Sequence, residues 1–220
     1  MPQTYEKVNH ALTFGLDILW RRRMVQKVLK RQPQLLLDVC TGTGETAIYL
    51  RKWTENTARI IAVDFTYSMI QIAAGKSASR GIDFCLADVK ALPFEDNTFD
   101  AATLSFATRN LNINRDLLMA AFSEICRVLK PGGVFYNLET SQPKVAWIRF
   151  LFHQFIRMTV LPLGLRLSGS QKGYHYLAST IPRFYSADEL TKILHASGFS
   201  TVQYNHWMFG AAALHCSKKH

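Results

Sequence analysis

The stretch Leu36-Leu37-Asp38-Val39-Cys40-Thr41-Gly42-Thr43-Gly44-Glu45 sets an apolar strand directly before a glycine turn that opens a helix. Glycine lets backbone approach a ligand where a Cβ would stand in the way, and a strand, turn and helix in this order suit a nucleotide-type group. The bare Gly42-x-Gly44-x-x-Ala47 spacing also fits a dinucleotide fingerprint, with a turn that holds no ligand the lesser alternative. Its neighbours decide. Asp64 ends the next apolar run, Ile60-Ile61-Ala62-Val63-Asp64, where a carboxylate can accept both hydroxyls of a ribose. Alternatively it belongs to the N-cap region of a helix that opens near Ser68. Asp88 follows a third run, Cys85-Leu86-Ala87-Asp88-Val89, where an acid can bond an adenine amino group. After the glycine turn no basic residue occurs before Arg51, so the turn is poorly suited to a pyrophosphate. The constellation points to an adenosine cofactor without one.

These residues need a scaffold that brings strand ends together. Runs rich in β-branched residues predict strands at Leu35–Val39, Arg59–Val63, Ile82–Leu86, Ala101–Ser105 and Val134–Leu138. Helices fit between them at Glu45–Trp53, Ser68–Ala78 and Arg115–Leu129, the last closed by Lys130-Pro131-Gly132-Gly133. The alternation predicts βαβ units and a parallel sheet covered on both faces, in a doubly wound α/β fold. From Lys144 to Tyr185 the chain turns basic and aromatic without strand alternation, which reads as an insertion. Ser186 and Glu189 form a capping box for a helix ending at Gly198. Strand-like Thr201–Tyr204 and Ala211–Cys216 then predict an antiparallel hairpin that brings the sheet to seven strands.

At 220 residues the expected organisation is a single domain: an N-terminal helical lid over 1–32, a cofactor-binding core over 33–141, the insertion over 142–185 and a C-terminal helix and hairpin over 186–220. Apolar residues at 48% and charged residues at 19% are interspersed, which disfavours disorder and fibrous architectures. Cys40, Cys85, Cys126 and Cys216 form no CxxC pair, so neither a metal site nor disulfides are expected and the compartment reads as reducing. The first residues lack the features of a signal or transit peptide, and the longest apolar stretch, Val145 to Leu167, is broken by Arg149, His153, Arg157, Pro162 and Arg166. A cytoplasmic protein without a spanning helix is expected. The net charge of +10 favours contact with an anionic surface, nucleic acid or acidic lipid.

Asp38 to Gly44, with Asp64, Asp88 and the Leu129-Lys130-Pro131-Gly132-Gly133 turn, resembles the class I, Rossmann-like methyltransferases that use S-adenosyl-L-methionine. Further segments narrow the likeness. Tyr5-Glu6-Lys7-Val8-Asn9 with Thr13-Phe14-Gly15 and Trp20, Ser105-Phe106 with Arg109-Asn110, and Arg127 to Gly133 through Glu139-Thr140-Ser141 are similar to the quinone-biosynthesis C-methyltransferases, the UbiE/MenG/COQ5 family. Tyr174-His175-Tyr176-Leu177, Gly198-Phe199 and Ala213-Leu214-His215 extend the similarity almost to the C-terminus. The resemblance implies methylation of a prenylated quinol ring in menaquinone or ubiquinone synthesis, with demethylmenaquinol the preferred substrate. It also implies cofactor contacts at Thr43, Asp64, Asp88, Val89 and Ser105, beside which Asp38, Gly42, Gly44 and Met69 are candidate cofactor contacts. Asp17 stands where the family usually has His, Glu6 where it has Asp, Thr13 where it has Ser, and Asp88 where Asn is common.

Methyl transfer to a ring carbon requires that a neighbouring hydroxyl be a phenolate. Arg109, just past the fourth strand, is the leading candidate to stabilise that charge or orient a proton-accepting water, with Asn110 bonding the same ring. The bland alternative is an Arg that pairs with a surface carboxylate. Tyr5 and Asn9, i and i+4, form a candidate lid over the ring, and Tyr174 and Tyr176 are candidate substrate contacts. The segment Lys144–Met158 mixes Trp, Phe and Arg as an interfacial helix does, which predicts peripheral contact with the inner face of the cytoplasmic membrane. Pocket lining or a homodimer contact would use the same stripe. His153, His175 and His215 have no metal-ligand spacing. Ser105-Phe106-Ala107-Thr108 differs from the Asn-Pro-Pro-Tyr-type base clamp, so no nucleic acid partner is expected. A scaffold without activity, within a quinone-synthesis assembly, is the alternative to an enzyme.

Overall fold

The computed structural model describes residues 10, 13–54, 57–168 and 180–220, without the side chains of 160–168. In chain order the elements are α1 (Leu16–Leu29), β1 (Leu35–Val39), α2 (Glu45–Trp53), β2 (Arg59–Asp64), α3 (Tyr67–Gly75), β3 (Ile82–Leu86), β4 (Phe99–Ser105), α4 (Thr108–Leu111), α5 (Arg115–Val128), β5 (Leu129–Thr140), α6 (Ala146–Ser168), α7 (Ala187–Ala196), β6 (Phe199–Trp207) and β7 (Ala212–Lys219). The strands form one sheet in the order β3-β2-β1-β4-β5-β7-β6. β1 to β5 run parallel, while β7 is antiparallel to both β5 and β6.

Strands covered on both faces read as continuous apolar runs, and β1 is of that kind. Leu37 and Val39 face a core shared with Phe122 and Ile125 of α5 and Leu190 of α7. Leu36 faces the opposite core, with Leu50 of α2 and Met24, Val25 and Val28 of α1. Within the segment 1–32 expected as a lid, Leu16–Leu29 is instead a covering helix of the sheet. Its Trp20 is 7% exposed and stacks on Trp207 of β6 at 6.5 Å.

Further boundaries differ from expectation. The helix predicted over Ser68–Ala78 ends at Gly75, and a short 3-10 turn, Ser77–Ser79, follows an extended Lys76. β6 and β7 run longer than expected because ladder pairing continues into polar residues, and β4 starts earlier, at Phe99, which pairs with Leu129. The Lys130–Gly133 turn is an excursion inside β5: Phe99 pairs with Leu129, then Ala101 with Val134. Gly133 is needed there, since a Cβ on it would stand 2.8 Å from the Lys130 carbonyl oxygen. Lys130 Nζ donates to Asp100 Oδ1 at 2.6 Å, while Asp100 Oδ2 accepts from the Gln34 and Leu35 amides and pins the start of β1.

The capping box stands as expected: Ser186 Oγ accepts from the Glu189 amide, and Glu189 Oε2 accepts from the Ser186 amide at 2.8 Å. His215 on β7 is 1% exposed and its Nε2 lies 3.0 Å from the Ala187 carbonyl oxygen, so it is a core histidine. Burial pushes its pKa down to about 4. The unfolded chain therefore binds the extra proton, and the stability His215 confers above about pH 6.5 is lost as pH falls toward 4. Between pH 7 and 4.5 the wild type should lose on the order of 2 kcal/mol more unfolding free energy than His215→Asn, measured by urea titration. Equal losses would mean an unshifted imidazole.

Candidate active site

In a doubly wound sheet ligands bind beyond the carboxyl ends of the strands, where loops diverge. Here the ends of β3, β2, β1 and β4 lie side by side, which lines up Asp88, Asp64, Asp38 and Ser105 across the sheet. Asp38, 1% exposed, accepts hydrogen bonds from Thr41 Oγ1 and Thr103 Oγ1, each at 2.6 Å. Burial raises its pKa to about 6 against the opposing pull of those hydroxyls.

The turn after β1 is held in the left-handed region at Cys40 (φ 52°), Gly42 (φ 56°) and Gly44 (φ 84°). Asp64 ties the turn to β2: Oδ2 accepts from the Gly42 amide and Oδ1 from the Thr66 amide, both at 2.8 Å. Two of its four lone-pair sites remain for ribose hydroxyls. A Cβ placed on Gly42 would meet no heavy atom within 4 Å, so the turn faces open space, whereas one on Gly44 would press on Ala73 Cβ at 3.1 Å. Phe65 and Leu86, 74% and 54% exposed beside Asp64 and Asp88, offer apolar walls for a flat base. Asp88 is half-buried with Oδ1 on the Lys90 amide at 3.0 Å, and Val89 is in the core, which leaves its backbone for a ligand. Thr43 is buried at 7% exposure and Met69 is half-buried on α3. Ser105 Oγ lies 2.5 Å from Thr46 Oγ1 on α2. This chain of acids, open turn and apolar wall fits an adenosine cofactor such as S-adenosyl-L-methionine.

Beyond β4, Arg109 is 6% exposed. Its Nη1 donates to Thr140 Oγ1 at 3.3 Å and lies 3.7 Å from Glu139 Oε1, while its backbone amide donates to Glu139 Oε2 at 3.1 Å. Its Nε is buried without a partner. Arg109 is thus no surface guanidinium. Asn110 is exposed: consecutive residues on the short α4 point in different directions, and the two do not converge. Tyr5, Asn9, Tyr174 and Tyr176 lie outside the described residues.

Sequence reasoning missed two groups. Glu139, 1% exposed at the end of β5, holds the Arg109 amide and both donors of Thr140. An acid ending an apolar strand, as Asp64 does, was the available signal. The second is a polar cluster around the start of α1 and the opening of α2. Asp17, 2% exposed, accepts from Thr13 Oγ1 and Arg21 Nη1 at 2.7 Å and lies 2.7 Å from His10 Nδ1. His10 Nε2 is 3.2 Å from Glu45 Oε1. His10, Asp17 and Glu45 bring ligand atoms within 4.8 Å of one another, but Arg21 Nη1 occupies the space between the carboxylates, 3.4 Å from Glu45 Oε2. Asp17 therefore anchors an ion-pair network.

Residues 1–219 match the model of the ubiE/COQ5 methyltransferase family. A demethylmenaquinone methyltransferase of Thermus thermophilus is 36% identical over 213 residues, 96% of this chain and 94% of that one. One of Staphylococcus aureus is 32% identical over 216 residues, 98% and 88% of the two chains. Among solved structures, a SAM-dependent methyltransferase of Aquifex aeolicus superposes with TM-score 0.59 at 19% identity, covering 88% of both chains. One from Thermotoga maritima gives 0.63 at 18%, covering all of both. With the family model matched over residues 1–219, the chain belongs to the ubiE/COQ5 methyltransferase family.

Proposed function

We propose that this protein transfers the methyl group of S-adenosyl-L-methionine to a ring carbon of demethylmenaquinol. The observation that carries the reading is Arg109, a buried guanidinium with a free Nε, set one short turn past the cofactor-contacting end of β4. The relatives named demethylmenaquinone methyltransferase cover nearly the whole chain and support the ring type.

When bound, the cofactor supplies an electrophilic methyl on a sulfonium. The chain's part is to place a nucleophilic carbon in line with it and to favour the phenolate that makes the carbon nucleophilic. Arg109 is permanently charged and a poor base, so its role is to stabilise the phenolate. Glu139 sets its position by fixing its backbone amide and Thr140. The new bond joins methyl to ring carbon, the S–C bond breaks, and the ring proton at that carbon leaves to water. Tyr5, Asn9, Tyr174 and Tyr176 are assigned to the ring, and Asn110 to the outer rim of the pocket.

Asp38 would hold the cofactor's ammonium. A cation beside it lowers its pKa from about 6, so binding releases a proton and affinity rises with pH up to about 7. Calorimetry from pH 5 to 7 should show affinity rising several-fold, and a flat profile would place the ammonium elsewhere.

The prenyl tail resides in a bilayer, and α6 is suited to meet it there. Among the described residues no helix is long and apolar enough to cross a membrane. Trp147, Phe150, Leu151 and Met158 are exposed on α6, and between Glu139 and Asp188 the sequence has no carboxylate against six Lys and Arg. That combination favours shallow docking on anionic lipid. The test of substrate is a side-by-side assay in detergent with labelled cofactor and reduced demethylmenaquinone or a reduced demethoxy-benzoquinone. Label in the first only is expected. Label in the second only would assign a ubiquinone precursor.

A further inference from the structure

The adenosine half of the cofactor has obvious partners at Asp64 and Asp88, and the ammonium has one at Asp38. The α-carboxylate has none among the positions identified so far. The amino-acid end is left for the side of β1 and β4; α1 packs against α2 and β5, and its Arg21 lies over Phe106, just past the end of β4. Arg21 is a built site. Its side chain is nine-tenths buried, with Nη1 shared by Asp17 at 2.7 Å and Glu45 at 3.4 Å. The guanidinium carbon stands 4.9 Å from the centroid of Phe106, the residue after Ser105. Glu45 is the first residue of the helix that follows the glycine turn. Arg21 is thus fixed at three points: its own helix, the opening of α2 and the end of β4. Its Nε is buried and has no partner. A buried guanidinium donor left unmade is costly, so a ligand that completes it is strongly favoured.

We propose that the free edge of Arg21 binds the α-carboxylate of S-adenosyl-L-methionine. A planar guanidinium matches a carboxylate in bidentate fashion, which a lysine ammonium does not. The surroundings select a zwitterion rather than a simple anion. Asp17, Glu45 and Asp38 gather around one arginine, and a ligand carrying only negative charge would meet their repulsion. An amino-acid group brings an ammonium for Asp38 and a carboxylate for Arg21 together. Asp17 and Glu45 then act as positioning residues that hold the guanidinium by Nη1 and leave its other edge to the ligand.

The proposal rests on S-adenosyl-L-methionine being the cofactor and is independent of which quinol is methylated. The test is calorimetric binding of S-adenosyl-L-methionine and of decarboxylated S-adenosylmethionine, which lacks only this carboxylate, to the purified full chain without quinol. Wild type should prefer the intact cofactor by on the order of 10- to 100-fold, the range for a buried charge-assisted pair. In Arg21→Gln the preference should collapse toward one because affinity for the intact cofactor falls while that for the decarboxylated compound holds. Arg21→Lys keeps the charge toward Asp17 and Glu45 and serves should the Gln variant not fold. It should lose most of the preference, since it lacks the planar edge. Equal weakening of both ligands in the variants, or no preference in wild type, would overturn the proposal and make Arg21 a structural link between α1 and α2. Failure of wild type to bind either compound would remove the cofactor itself, and the proposal with it.

Discussion

Replacing Arg109 by alanine should lower turnover by on the order of 100- to 1000-fold while leaving S-adenosyl-L-methionine affinity within about twofold. The phenolate is the form in which negative charge concentrates on the ring oxygen, and a preformed donor in a dry site is worth more there than against the neutral hydroquinol. Arg109 meets both conditions, being 6% exposed with its Nε unspent. The risk in such a variant is an orphaned buried Glu139, because breaking a buried ion pair by removing one partner is costly. Glu139 keeps its three other donors, the backbone amides of Arg109 and Thr140 and the Thr140 hydroxyl, so its charge stays solvated by protein. Arg109→Lys, which keeps a charge at lower geometric fidelity, should recover part of the rate. Stopped-flow turnover, cofactor calorimetry and thermal melts on the two variants decide the matter. Parallel loss of affinity, rate and melting temperature would make Arg109 a structural partner of Glu139.

Asp64→Ala should do the opposite and weaken cofactor binding first, by about 100-fold, the worth of two charge-assisted hydrogen bonds partly offset by water. Asp64 has two tasks that the substitution removes together. It fixes the Gly42 amide and so the path of the turn, and it offers its remaining lone pairs to the ribose. The two tasks separate experimentally. Asp64→Asn retains one carbonyl oxygen but sets an amide NH2 against one of the two backbone donors, so it should lie between alanine and wild type. Adenosine alone should lose affinity with the full cofactor. A loss below about threefold for the alanine variant would leave the ribose without this acceptor.

Much of the scaffold was legible because its signals are local. β1, α2 and β3 match their predicted bounds, where apolar runs and the glycine turn lie next to one another in the chain. The Ser186 and Glu189 capping box is likewise contained in four residues. What the chain conceals are the features made by distant partners. Asp17 and Arg21 are one helical turn apart, a spacing visible by inspection, but Glu45 joins them only once α1 crosses the opening of α2. Leu16–Leu29 passed for part of a lid because its apolar stripe is weak beside three consecutive arginines, and only the packed core shows which face is buried. Asn110 was expected beside the same ring as Arg109, but on α4 Arg109 is buried and Asn110 exposed.

The site of methylation itself tests the C-methyltransferase reading. Purified protein would be incubated with reduced demethylmenaquinone and a cofactor carrying a 13C methyl, and the quinone product examined by carbon NMR. A single labelled methyl bonded to a ring carbon is expected, with S-adenosylhomocysteine formed in equal amount. A labelled methyl on ring oxygen, or cofactor bound with no labelled quinone formed, would contradict that reading.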